Sequence, residues 1–435
     1  MKLIRYFLLI LFAFAVCNVY ADSLIKVLDD TKPKTIINYS DTPYVYISII
    51  IKSGAVSEAG YNAGMSSFIS KLLLQETRTR STEDVQKIFY STGCNLSLES
   101  HLDYLEIKAI TRKSTFNTAI KIIAECLLEP KMTNESIQKA KLDTIDIMTK
   151  EYDNTFQRIY DTLRFNMYSG NPYKRSLQGT IQSIKNIDKT AISTYYLENF
   201  VVGNMVIAIT SSYKDSEVKD IVNNAFYSQY TTSKKRDIYD YDEKINYNKE
   251  VLLKNYDDND KLTYYVMGWF APSVIEKDYY AMSVLNTILG DGKACKTFTD
   301  IRQKYGIGYL IGFKYPELRR QSHIYMYLST IDNDNTKIKL AKNEILSIIE
   351  DIKKNGVSDK ELLRAENYIA GQNDIYNLNL SNVTHDIAWN EAVTGDYNNY
   401  LNYNKNILSV TNDDIKRVAN KYFVNYVEVL SQPIN

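Results

Sequence analysis

Two stretches of this chain repeat each other, and that repetition constrains the fold more than any single motif. Residues 191–201 and 414–424 both run with helical period into a short β-rich stretch, 205–210 in one case and 426–430 in the other. A second echo pairs an apolar strand and its following helix, 44–51 with 64–74, against 263–270 with 278–289. Phe200 and Phe423 lie 223 positions apart (423 less 200), and Gly64 and Ala281 lie 217 apart (281 less 64). Two agreeing offsets predict two similar halves of roughly 220 residues each. Within them, residues 105–110 alternate as a strand with one buried face. Ser81-Thr82-Glu83-Asp84 and Ser358-Asp359-Lys360-Glu361 have the form of capping boxes that start helices. Strands mixed with helices, in sheets with one covered face, predict an α+β chain. It would have two homologous halves, each a largely antiparallel sheet with helices packed on one face.

The ends and the seam are read from composition. Lys2 and Arg5 precede an unbroken apolar run over 7–17, and Val19-Tyr20-Ala21 offers small residues before Asp22. Residues 1–21 therefore read as a cleavable signal peptide. The run is shorter than the roughly 20 residues of a membrane span, so a periplasmic or otherwise exported chain, off the membrane after cleavage, is expected. The N-terminal half then covers 22–227, a polar, tyrosine-rich linker 228–249, and the C-terminal half 250–435. Lys+Arg and Asp+Glu both number 52, with no basic stripe, which argues against a nucleic-acid partner. Histidines number three, and losing Cys17 leaves Cys94, Cys126 and Cys295, an odd and widely spaced set unlike a disulfide framework.

Ala63-Gly64-Met65-Ser66-Ser67-Phe68-Ile69-Ser70-Lys71 resembles the zinc helix of the pitrilysin/insulinase-type peptidases, which include mitochondrial processing peptidase. Their pattern is Gly-x-x-His-x-x-Glu-His, the inverted zinc motif. Asn171-Pro172-Tyr173 with Gly179-Thr180 is similar to that family's Pro-Tyr…Gly-Thr turn. Leu289-Gly290-Asp291-Gly292, followed by Phe298, Arg302, Gly306 and Tyr309, is similar to its second-half Arg/Tyr stretch. The resemblance spans nearly all of 23–435 and itself implies a duplicated fold.

It fails where the family's chemistry sits. Aligned on Gly64, the two zinc histidines become Ser67 and Lys71, and the catalytic glutamate becomes Ser70. The third ligand falls near Asp146 or Ile147. A serine hydroxyl is a poor zinc ligand, and a protonated lysine repels the ion. No histidine occurs in 22–100, and His101, His323 and His385 are isolated, as core or surface histidines are. No catalytic residue, metal or cofactor of its own is expected.

The resemblance implies that Arg302 and Tyr309 bind substrate, because a guanidinium and a phenol can both donate to a peptide carbonyl that turns negative in the transition state. The bland alternative is a structural salt bridge at Arg302 and a half-buried strand residue at Tyr309. Family members also add extended substrate to the edge of a first-half strand, for which 42–51 is the candidate here, a buried central strand being the alternative. The expected function is that of an exported, zinc-free subunit of a heterodimeric, processing-peptidase-like metalloendopeptidase. It would be inert alone. A zinc-bearing paralogous subunit would be its partner, and a peptide or unfolded protein the substrate. The alternative is a non-proteolytic peptide-binding or scaffold member; a self-sufficient zinc endopeptidase lacks the ligands.

Overall fold

The structure, a computed structural model, describes residues 32–151, 155–226, 242–255, 262–331 and 335–433. The expected signal peptide and the expected linker as far as residue 241 lie outside the described residues. Strands β1 (Lys34–Tyr39), β2 (Tyr44–Ile51), β3 (Asn95–Ser100), β4 (Leu105–Arg112) and β5 (Met205–Ser211) form one sheet in the order β1-β5-β2-β4-β3. Strands β6 (Lys249–Asn255), β7 (Thr263–Ala271), β8 (Leu310–Lys314), β9 (Ser322–Thr330) and β10 (Val427–Pro433) form the other, in the order β6-β10-β7-β9-β8. Adding five to each label turns the first order into the second. In both sheets the β1–β5 or β6–β10 pair is parallel and every other pair antiparallel. The duplication is therefore one of topology as well as of length.

Alternate residues of the central strands serve two different cores, as the two-residue period of a strand requires. Ile47, Ile49 and Ile51 of β2, with Ile207 and Ile209 of β5, pack into the first half's own core beside Ile120 and Ile123 of the helix Phe116–Leu128. Met267 and Trp269 of β7 do the same in the second half, against Met282 and Leu285 of Tyr279–Gly290 and Ile345 of Asn335–Asn355. The opposite faces are also apolar, and each is closed by a helix from the other half. Helix Thr155–Met167 leaves the first half to lay Ile159, Leu163 and Met167 on Val266 and Phe270 of β7 and Val427 and Val429 of β10. Helix Leu380–Trp389 crosses back to lay Val383, Ile387 and Ala388 on Ile50 of β2 and Val206 and Ala208 of β5. The two helices start 225 positions apart (380 less 155), so they are the same element of the repeat, exchanged. Each half covers one face of its own sheet; the second face is completed reciprocally.

His323 of β9 stands inside this exchange. Tyr160 and Tyr168 reach its two ring nitrogens at 2.9 and 2.8 Å, and burial pushes its pKa down to about 3. It is a neutral core histidine bridging the halves, with one nitrogen donating and the other accepting.

If the exchange ties the halves together, truncating one of its side chains should weaken the whole molecule. Leu163→Ala empties a fully buried position on the crossing helix and is expected to cost about 2–5 kcal/mol. Calorimetry should show a single melting transition moved down; two transitions, with only one of them moved, would contradict the reciprocal packing.

Candidate functional site

The segment that resembles a zinc helix is held by two glycines and a buried acid. Gly64 (φ +92°) and Gly179 (φ +75°) face each other so closely that a Cβ on Gly64 would stand 2.4 Å from the Gln178 carbonyl oxygen. One on Gly179 would stand 2.1 Å from that of Ala63. Only glycine adopts this geometry at this spacing. The helix glycine and the Gly-Thr turn, two separate motifs in the sequence, are thus the two sides of one contact. Glu58, which the sequence reading passed over, caps the helix Met65–Ser70. Its carboxylate accepts from the Gly64 and Ser66 backbone N–H groups, both at 2.8 Å, and from Ser66 Oγ at 2.6 Å. Burial nevertheless pushes the Glu58 carboxyl up to about 7 against those donors and Arg175.

The helix is shorter than the expected 64–74. It ends at Ser70, whose hydroxyl donates to the Ser67 carbonyl at 2.8 Å, and Leu74 lies in the left-handed region at φ +59°. Serine hydroxyls that bond back to the backbone offer the chain an alternative to the helix ladder. Lys71 Nζ donates to Thr144 Oγ1 at 3.0 Å, and Thr144 Oγ1 donates to the Ala140 carbonyl at 2.7 Å. Thr144 belongs to the helix Asn134–Glu151, so the element expected to carry a third ligand does face the degenerate helix. It does so through a threonine; Asp146 and Ile147 are exposed. Two hydroxyls, an ammonium and a threonine do not make a zinc donor set. Among the described residues, no three His, Cys, Asp or Glu side chains are grouped closely enough to hold a metal ion.

The second set of residues does assemble. Arg302 sits in a π-helical turn, Thr297–Gln303. Gly306 and Gly308 (φ +66° and +87°) then reverse the chain, and a Cβ on Gly308 would stand 2.4 Å from Leu328 Cδ1. The Tyr309 N–H donates to the Ser329 carbonyl at 2.8 Å, which starts the β8–β9 ladder. The reversal sets the Arg302 guanidinium carbon 5.3 Å from the Phe298 ring centroid and 6.0 Å from that of Tyr309. Among the described residues Arg302 makes no ion pair, and Tyr309 is 72% exposed. That arrangement is neither a structural salt bridge nor a half-buried strand residue. Neither the guanidinium nor the phenol makes a side-chain hydrogen bond among the described residues.

Of the two readings of 42–51, the structure shows the buried central strand. Strand β2, within the candidate stretch 42–51, is central, hydrogen-bonded to β5 on one side and β4 on the other. Its nearly unbroken apolar run is what a strand buried on both faces needs. The edge beside the degenerate helix is β3, whose Ser100 Oγ donates to Ser66 Oγ at 3.0 Å. Its counterpart in the second sheet is β8, and Tyr309 immediately precedes it. The degenerate helix and the Arg302–Tyr309 pair therefore stand in different halves, each next to the equivalent edge strand.

Glu58 makes a pH prediction. Its folded pKa lies above the ordinary 4.5, so its contribution to stability is fully present below about 4.5 and is lost as the pH rises through about 7. Melting temperatures taken from pH 5 to 8 should fall more steeply for the native chain than for Glu58→Gln. Identical pH profiles would show that Glu58 does not titrate in this range.

Comparison with known proteins agrees with this fold. The family model described as "Insulinase (Peptidase family M16)" matches residues 34–181, and that described as "Peptidase M16 inactive domain" matches 186–369. An uncharacterized zinc protease of Rickettsia bellii is 22% identical over 398 residues, covering 89% of this chain and 92% of the relative. The zinc protease PqqE of Helicobacter pylori is 19% identical over 388 residues, covering 88% and 86%. A crystal structure of a protease from Helicobacter pylori superposes with a TM-score of 0.83 at 18% identity over 92% of this chain and 97% of that one. A peptidase M16 inactive domain from Pseudomonas fluorescens superposes at 0.84, with 16% identity over 93% and 96%. By its two matched domains and its doubled five-stranded fold, this chain belongs to the insulinase-type (M16) peptidase family.

Proposed function

We propose that this chain is the exported, zinc-free subunit of a two-chain peptidase, and that it lends Arg302 and Tyr309 to a zinc-bearing paralogous partner. The observation that carries the reading is the contrast between its two sets of residues. Ser67, Ser70 and Lys71 offer nothing to a metal. The Arg302 guanidinium lies 6.0 Å from the Tyr309 ring and pairs with no charge among the described residues, and Tyr309 is open to the surroundings. A permanently charged planar donor and a neutral phenol donor, held together, suit a carbonyl oxygen that gains negative charge. The substrate is a peptide or unfolded protein, met as an extended strand, and the exposed edges β3 and β8 suit it because main-chain hydrogen bonds need no particular sequence. The partner supplies metal and general base. Residues 1–21 support export.

The test uses the reconstituted pair, with assembly confirmed by size-exclusion chromatography. Arg302→Lys, which keeps the charge and loses the planar fork, and Tyr309→Phe, which removes only the hydroxyl, should each leave assembly intact. Each should lower kcat by about 10²–10³. Near-normal cleavage by both variants in an intact pair would return the two residues to a structural role and make the chain a peptide-binding scaffold.

A further inference from the structure

A cavity of about 500 Å³ lies where the two halves meet. Its walls come from the loop between β3 and β4, from the segment after β8, and from the helices Asp359–Tyr376, Leu380–Trp389 and Asn398–Ile407. Neither the degenerate helix nor Arg302 and Tyr309 line it. A second cavity of about 480 Å³ adjoins it, sharing Glu317, Asn373, Tyr376 and Tyr403. Volumes of this size are those of small-molecule sites.

The lining has a definite chemistry. Tyr104, Tyr280, Tyr376, Trp389, Tyr400 and Tyr403 contribute ring surface. Asp103, Glu317 and Asp386 contribute carboxylates, Asp291 adds another in the adjoining space, and no Lys or Arg lines either cavity. Asp103 is satisfied within the fold by the Arg319 N–H and the Tyr173 hydroxyl. Glu317 accepts from Tyr279 alone and remains exposed, because the space beside it is the cavity. The Asp386 carboxylate makes no hydrogen bond or ion pair among the described residues. Their low-dielectric surroundings raise the pKa of both, Asp386 to about 6, against the opposing pull of His385 beside them. His101 and His385 also line the cavity: His385 Nδ1 lies 2.7 Å from Glu106, which has Lys108 Nζ at 3.5 Å as well, and the His101 ring stacks on Tyr104 at 4.4 Å.

We infer that this cavity binds an organic cation, a guanidinium or primary ammonium on a short alkyl stem, with Asp386 and Glu317 taking its N–H donors and the aromatic rings taking its charge and stem. Aromatic faces attract diffuse cations, and a planar guanidinium both stacks on rings and donates to carboxylates. A small hard metal ion would instead need several converging ligands, and the described residues group no such set. The same chemistry could arrive as a free amine or as a basic side chain of a peptide. The inference stands independently of the role proposed for Arg302 and Tyr309.

Calorimetric titration of the purified chain separates the possibilities. The probes are arginine amide, an N-acetylated tetrapeptide amide with one arginine, and citrulline amide as the neutral isostere. Saturable binding of a cationic probe is expected, with no binding of citrulline amide. Asp386→Asn, which keeps the shape and removes the charge, should weaken binding by about tenfold or more. Stronger binding of the peptide assigns the natural ligand to a protein side chain, and stronger binding of arginine amide to a free amine; both support the site. Circular dichroism checks the fold, and Glu317→Gln takes the place of Asp386→Asn if that variant does not fold. No saturable binding of either cationic probe, or equal affinity in the charge-removed variant, overturns the inference.

Discussion

The back of each sheet is closed by a helix that belongs to the other half, and most of this molecule depends on that exchange. Residues on one face of β2 and β5 serve their own half, and those between them serve the crossing helix Leu380–Trp389. The same holds for β7 and β10 with Thr155–Met167. Polar groups are drawn into the seam with it. Glu106 of β4 is buried and accepts from Ser48 Oγ and pairs with His385 of the crossing helix, both at 2.7 Å. Burial alone would raise that carboxyl, but His385, Ser48 and Lys108 outweigh it and hold it below the usual carboxylate range. Removing one member of such a buried pair leaves the other uncompensated, and this pair joins β4 of the first half to the crossing helix. The cavity at the seam is a consequence of the same arrangement.

Duplication gives each sheet an equivalent free edge, and the two edges carry different chemistry. Beside β3 lies a helix anchored by Gly64 and capped by Glu58, with Ser67, Ser70 and Lys71 where the family resemblance would put a zinc site. Before β8 lies a guanidinium, Arg302, within 5.3 Å of the Phe298 ring and 6.0 Å of the Tyr309 ring. The scaffold of the first place is intact: Gly64 still packs on Gly179, and Ser183 Oγ still donates to the Ala63 carbonyl at 2.7 Å.

Much of this was legible in the sequence because it is local. The nearly unbroken apolar run of β2 and the paired offsets lead directly to the strands and to their repeat, and Ser81 and Ser358 do cap the helices Thr82–Thr92 and Asp359–Tyr376. The pairing of Arg302 with Tyr309 was readable only through the family resemblance; the positive φ angles of Gly306 and Gly308 make the reversal that realises it. What could not be read is non-local. Periodicity says that one face of Thr155–Met167 is buried, not that the second sheet buries it. Strand order decides that β3 rather than β2 is an edge, and order is a matter of pairing between distant segments. Glu58 carries no motif of its own; its role exists only once the loop folds back over the helix N-terminus. The early stop at Ser70 reflects hydroxyl–backbone competition within one turn, which helical period does not register.

The central claim is that this chain works beside a metal-bearing partner and holds no metal itself. Purification from the native source, with mass spectrometry of what co-elutes and elemental analysis of each separated chain after dialysis, tests it most directly. The account predicts a co-eluting paralogue with an intact His-x-x-Glu-His and zinc that stays with that chain. One zinc per copy of this chain, removed by a chelator together with peptidase activity, would contradict it.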